Sequence, residues 1–191
     1  DDFHVYAVDT IGHPGKSAEV SLSPRNQDYG KWAVDVIKGL GFKEMACFGG
    51  SFGAGILVKA MCAAPEVIKC SVLMVPSAIQ NAPAYKSASM AFPMLMYWLL
   101  HKEKWFMKCI LPMAITESSI TQDILETARC SIDNAKIKAV MPKNESCKNL
   151  RKYQKPVLVM AAEKDCLFPA KDVLLKAEKV WKQSKRYLLK D

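Results

Sequence analysis

The sharpest chemical feature of this 191-residue sequence is a serine set among glycines, Gly49-Gly50-Ser51-Phe52-Gly53. A hydroxyl there suits nucleophilic attack on a carbonyl if the chain turns sharply from strand to helix, because such an elbow lifts the serine clear of its neighbours. Residues two positions either side must then lack bulk, which Gly49 and Gly53 supply, with Gly50 beside them. The backbone N–H of Phe52, at the start of the following helix, is placed to face a developing oxyanion. The plainer alternative is a glycine-rich turn with an incidental serine. The coincidence of strand, motif and helix argues against it.

A serine hydroxyl is a weak nucleophile without a base to take its proton and an acid to orient that base. Asp165 is the candidate acid. It lies in Glu163-Lys164-Asp165-Cys166-Leu167-Phe168-Pro169, just past the strand-like run Pro156 to Ala162. That is the carboxyl end of a strand, where open α/β sheets place their sites. Glu163 is a weaker rival, and a solvated loop aspartate is the plain alternative. The only histidines are His4, His13 and His101, and none follows Asp165. His4 falls in a strand-like run and His101 in a helical segment, so both read as structural or exposed. His13, in a loop at a strand's carboxyl end, could approach the site.

The elements that must position these residues follow from hydrophobic period and turn signals. Phe3 to Val8 reads as a strand ending at Asp9, and Thr10 to Pro24 as a loop rich in Gly, Pro and Ser. Asp28 to Leu40 has the spacing of an amphipathic helix. A strand over Glu44 to Phe48 leads into the serine motif and a helix reaching Ala63, and another strand runs from Cys70 to Val75. From about Ser77 to Lys152 the pattern is helical, including Ile120 to Ile132 with Thr121 and Asp123 as cap candidates. The alternation then resumes with strand Pro156 to Ala162, helix Ala170 to Gln183 and strand Arg186 to Leu189. Strands alternating with helices predict an α/β, doubly wound, mostly parallel sheet with helices on both faces. The core is read as residues 1–76 and 153–191, and the helical insertion as 77–152.

Composition narrows the field. Half the residues are hydrophobic and 24% are charged, which fits a packed globular domain and excludes collagen-like or disordered chains. The formal charge of +8 is spread out, without a block of five or six like charges, and so reads as a solvated basic face rather than a nucleic-acid site. Seven cysteines form no C-x-x-C pair, and their odd number cannot all pair internally, pointing to a reducing cytoplasm. Cys47, Cys62 and Cys70 fall in core elements. The longest strongly apolar stretch, Ala91 to Leu100, is about half of what a membrane span needs and contains Pro93. No His or Cys cluster has metal-ligand spacing, so no metal or other cofactor is expected. Gly15-Lys16-Ser17 invites a phosphate-loop reading, but the position needing the earlier glycine is Thr10.

These residues together resemble the α/β-hydrolase fold superfamily, in the branch of carboxylesterase-like serine hydrolases with an inserted helical lid. The resemblance rests on the elbow, on the acid loop Asp165 to Pro169 and on Asp9-Thr10-Ile11-Gly12-His13-Pro14-Gly15-Lys16-Ser17. It covers nearly the whole chain. It implies a triad in the order Ser, Asp, His, with the histidine just past Asp191. It also implies three earlier strands, one lying between Phe3–Val8 and Glu44–Phe48, and an upstream loop giving a second oxyanion donor. The sequence is accordingly read as an internal portion of a longer protein, incomplete at both ends of the fold, and inactive by itself for want of the catalytic histidine.

The expected activity of the whole protein is hydrolysis of a carboxylic ester, or related acyl substrate, through an acyl-enzyme on Ser51. Met90, Phe92, Met94, Met96, Trp98, Trp105, Phe106, Met107 and Met113 in the lid suggest an adaptable pocket for an apolar group. The same residues could instead simply pack the lid onto the sheet. One alternative function is a non-catalytic hydrolase-fold protein that holds a small apolar ligand. Another is partner binding through the basic lid, with an affinity that falls steeply with salt.

Overall fold

The computed structural model describes residues 2–113, 120–134 and 141–190. Helix α1 (Asp28–Gly39) buries one stripe, Tyr29, Ala33, Val34 and Ile37, as its apolar spacing requires. Strand β1 (Met45–Gly50) runs into helix α2 (Ser51–Ala63), whose sequence is apolar nearly all round and which is correspondingly buried. Strand β2 is Ile68–Met74. After the insertion come helix α6 (Cys147–Leu150), strand β3 (Val157–Ala162), helix α7 (Ala170–Val180) and strand β4 (Lys185–Leu189).

The four strands form one parallel sheet in the order β1-β2-β3-β4. Its register sets Gly49, Leu73 and Val159 side by side under α2, and Phe48, Val72 and Leu158 on the opposite face. The helices that touch the sheet lie along the first face, α1 against α2, α2 against α6 and α6 against α7. On the other face Phe48 and Tyr187 are exposed and Val72, Leu158 and Met160 only half-buried. The second helical layer expected from the alternation is not found among the described residues. The cause is geometric: strands added in one direction by right-handed crossovers put their helices on one side.

Phe3–Val8 also departs from expectation. These residues belong to no strand, and Phe3, Val5, Tyr6 and Val8 are exposed, with Tyr6 resting edge-on against Phe42 at 5.5 Å. A β-type run becomes a strand only with a ladder beside it, and no described strand neighbours this one or the outer edge of β1.

Between β2 and β3 the chain forms helices α3 (Ala84–Leu100), α4 (Glu103–Ile110) and α5 (Gln122–Asn134). They gather a small separate cluster on Tyr97, Phe106 and Ile110. Thr121 caps α5 by accepting the Ile124 N–H at 3.4 Å. Residues 114–119 and 135–140 of the expected insertion 77–152 lie outside the described residues.

Candidate active site

Ser51 is the first residue of α2 and has φ = 48°, in the left-handed region that a residue with a Cβ seldom occupies. The turn is fixed by its neighbours. A Cβ at Gly49 would come within 2.8 Å of the Ala54 nitrogen, so only glycine permits the strand to approach the helix this closely. Gly50 is less constrained, and at Gly53 a Cβ would meet nothing within 4 Å. The demand for small residues therefore falls on Gly49 and not symmetrically on Gly53, correcting the expectation from the motif. A closer constraint sits at Gly55, where an added Cβ would lie 2.0 Å from the Ser77 hydroxyl oxygen.

Ser77 is fully buried and grips the elbow from behind. Its N–H and its hydroxyl both donate to the Ser51 carbonyl, at 3.3 and 3.2 Å. The loop that carries Ser77 leaves β2 through Val75 (φ = 42°) and Ala78 (φ = 66°). It is held in turn by Glu145, whose N–H donates to the Ala78 carbonyl at 2.7 Å. The Glu145 side chain is buried and accepts from Lys59 of α2 at 2.5 Å, from Gln27 at 2.7 Å and from Asn149 at 2.8 Å. Burial pushes this carboxyl up, but the Lys59 ammonium and the amide donors outweigh it and hold it below the ordinary carboxylate range. Sequence reasoning missed this clamp, because Lys59 and Glu145 are 86 positions apart. The one available signal was a lone lysine in an otherwise apolar helix.

Phe52 follows Ser51, and its N–H is among the first-turn donors that a helix leaves without an internal acceptor. Its ring packs edge-on against Tyr29 at 5.3 Å and at a tilt against His13 at 5.2 Å. Burial lowers the His13 pKa, and its Nε2 is buried with no hydrogen-bond partner among the described residues. The His13 loop closes on Asp9, whose carboxylate accepts the Lys16 N–H at 2.8 Å and whose carbonyl accepts the Ser17 hydroxyl at 2.6 Å. A carboxylate already holding a loop N–H is the opposite of a phosphate cradle.

Asp165 lies three residues past β3, at the carboxyl end of the sheet as Ser51 is, and β3 runs two strands, about 9–10 Å, from β1. Its Oδ1 accepts the N–H groups of Leu167 and Phe168 at 2.8 and 2.9 Å, which locks the carboxylate in its turn. Glu163 is exposed, and its N–H donates to the Leu189 carbonyl. Cys166 is an exposed thiol whose pKa is raised by partial burial and by the Asp165 charge, so it is a poor nucleophile. Among the described residues no histidine is hydrogen-bonded to Ser51 or Asp165. His4 stacks on Tyr6 at 4.6 Å, and His101 ends α3 with its ring 5.8 Å from Tyr97.

Of the apolar insertion residues, Phe106 is buried in the local cluster while Phe92 and Trp98 are exposed. The side chains of Met90 and Met113 lie outside those described. Two cavities, of about 320 and 410 Å³, are lined by other parts of the molecule and include neither Ser51 nor Asp165. Among the described residues there is no group of His, Cys, Asp and Glu able to hold a metal ion, and no helix long and apolar enough to cross a membrane. All seven cysteines are free.

No protein-family model matches the chain. Over 75 residues it is 32% identical to carboxylesterase YbfK of Bacillus subtilis (strain 168), a match covering 39% of this chain and 25% of that protein. The whole chain superposes on the crystal structure of naproxen esterase (carboxylesterase NP) from Bacillus subtilis, with a TM-score of 0.83 and 19% identity. It superposes equally completely on carboxylesterase CesB (YbfK) from the same organism, with a TM-score of 0.79 and 19% identity. The chain spans 67% of each of these two structures. An all-parallel sheet, a strained serine between strand and helix, and superposition over the full length together show that this chain has the α/β-hydrolase fold.

Proposed function

We propose that the protein is a serine hydrolase of carboxylic esters with an apolar group, using Ser51 as nucleophile and Asp165 as the acid that orients its base. The observation that carries this is the left-handed φ of 48° at Ser51, held by Gly49 on one side and Ser77 on the other. Strain of this kind persists where the surrounding structure over-determines it, and it clusters at active sites. The names of the similar proteins, a naproxen esterase and a carboxylesterase, support the same class.

In this reading the Ser51 oxygen attacks the ester carbonyl as its proton passes to the base. The tetrahedral oxyanion is met by the Phe52 N–H, and the alcohol leaves carrying the proton back from the base. Water, deprotonated by the same base, then cleaves the acyl-enzyme and regenerates Ser51. The base would be a histidine, as the family's order Ser, Asp, His implies, and the Oδ2 side of Asp165 would receive its N–H. The segment 77–152 acts as a lid whose apolar side chains, apart from the outward-facing Phe92 and Trp98, meet the substrate. The steps call on no metal or cofactor, and the seven free cysteines suit a reducing cytoplasm.

A second reading is a non-catalytic protein that holds an apolar ligand. It is favoured by the lack of any histidine bonded to Ser51 or Asp165 among the described residues. Stopped-flow hydrolysis of p-nitrophenyl acyl esters by the full-length protein separates the two. The hydrolase reading expects a burst of one p-nitrophenol per site, lost in Ser51→Ala and strongly reduced in Asp165→Asn. Saturable ester binding without a burst would establish the second reading.

A further inference from the structure

Helix α3 carries one charged residue, Lys86, in 17, and from Met90 onward it is apolar all round. Such a helix belongs inside a core or at a membrane. One side of it is satisfied, since Tyr97 is buried against Phe106 and Ile110. The other is not. Phe92, Leu95, Trp98 and Leu99 lie within about 120° of one another around the axis at 100° per residue, and are 59%, 51%, 49% and 66% exposed. This helix is too short and too interrupted to span a bilayer.

The charges beside the stripe say what covers it. The Phe92 ring meets the Trp105 ring edge-on at 5.6 Å, and two ammonium groups sit over that same indole, Lys104 at 5.3 Å and Lys108 at 4.8 Å. The acid of α4, Glu103, is already taken by Arg129 at 2.6 Å. Among the described residues neither lysine has a carboxylate partner, so the exposed apolar stripe is edged by positive charge on a chain of net +8. A second copy would bring the same lysines and the same net charge against itself.

We propose that the outer face of α3, with Lys104 and Lys108 of α4, is a docking surface for an anionic lipid bilayer. Phe92, Leu95 and Leu99 enter the acyl boundary, Trp98 lies at the level of the glycerol groups, and the two ammoniums, held over the half-buried Trp105, pair with headgroup phosphates. This needs nothing of the chemistry at Ser51. The spread of charge along the sequence hid it, because the fold brings Phe92, Trp105 and the lysines together.

Co-sedimentation of the purified protein with phosphatidylcholine vesicles, with and without phosphatidylserine, tests the assignment. The expected result is at least about tenfold stronger partition onto the phosphatidylserine vesicles, weakening as salt is raised. Replacing both lysines, Lys104→Gln with Lys108→Gln, should weaken it by about thirtyfold. Leu99→Asp should abolish it while leaving the circular dichroism unchanged, since that side chain is exposed. Four results would each overturn the proposal: binding to neither vesicle, equal binding to both, binding indifferent to Leu99→Asp or to the lysine pair, or self-association in solution that Leu99→Asp abolishes.

Discussion

The two ends of the sheet are built differently. At the carboxyl end, Ser51, Val75 and Ala78 all take positive φ, and buried groups from three chain segments close on one another through Ser77 and Glu145. At the amino end the backbone is unstrained: Tyr153 donates to the Pro156 carbonyl at 3.1 Å, and Lys155 reaches Glu44 and the Glu66 carbonyl at 2.9 and 2.8 Å from half-exposed positions. Positive φ costs about 1–3 kcal/mol at each non-glycine residue, and for β-branched Val75 the cost is at the upper end. The fold concentrates that cost where the candidate chemistry sits and keeps the opposite end relaxed.

Replacing the group at the centre of the strained end should have the largest effect. Ser51→Ala is expected to lower ester hydrolysis by the full-length protein about 10⁴-fold or more, while leaving its melting temperature within a few degrees of the parent. Next comes the clamp. Lys59→Met leaves Glu145 buried without its ion partner and should destabilise the fold by about 3–5 kcal/mol in urea unfolding. The same pair gives the acid response its sign. A carboxyl held below its ordinary value of 4.5 contributes stability above that pH and loses it as pH falls through the lower folded value. Glu145→Gln should therefore flatten the loss of stability below about pH 4.5.

Smaller effects test the steric account of the elbow. Gly55→Ala drives a methyl into the Ser77 hydroxyl and should cost about 1–3 kcal/mol, with part of the loss recovered in Gly55→Ala/Ser77→Ala. A fully additive pair would contradict the contact. Gly53→Ala, with open space beside it, should be neutral or stabilising by up to about 1 kcal/mol as a helix-interior change. Least of all should come from the amino end, where Lys155→Ala is expected to change stability by no more than about 0.5 kcal/mol.

Much of this was legible along the chain, because the signals were local. The alternation of strands and helices, the turn at Ser51, the aspartate loop after β3 and the Thr121 cap all depend on neighbours a few positions apart. Cys62 was also readable as core: it is buried, and burial pushes its thiol up to about 12. What could not be read depends on partners. Phe3–Val8 has the composition of a strand but no ladder beside it, and Gly53 fits the motif without being sterically required. The Lys59–Glu145 clamp joins positions that only the fold brings together, as does the contact of Phe92 with Trp105 and its two lysines.

The account turns on Ser51 being an activated nucleophile, and active-site labelling measures that directly. The full-length protein would be treated with a fluorophosphonate and its mass recorded intact and after digestion. One adduct per chain on the peptide carrying Ser51, absent in Ser51→Ala and slowed in Asp165→Asn, is the predicted result. A well-folded full-length protein that takes no adduct, or takes it at another residue, would contradict it.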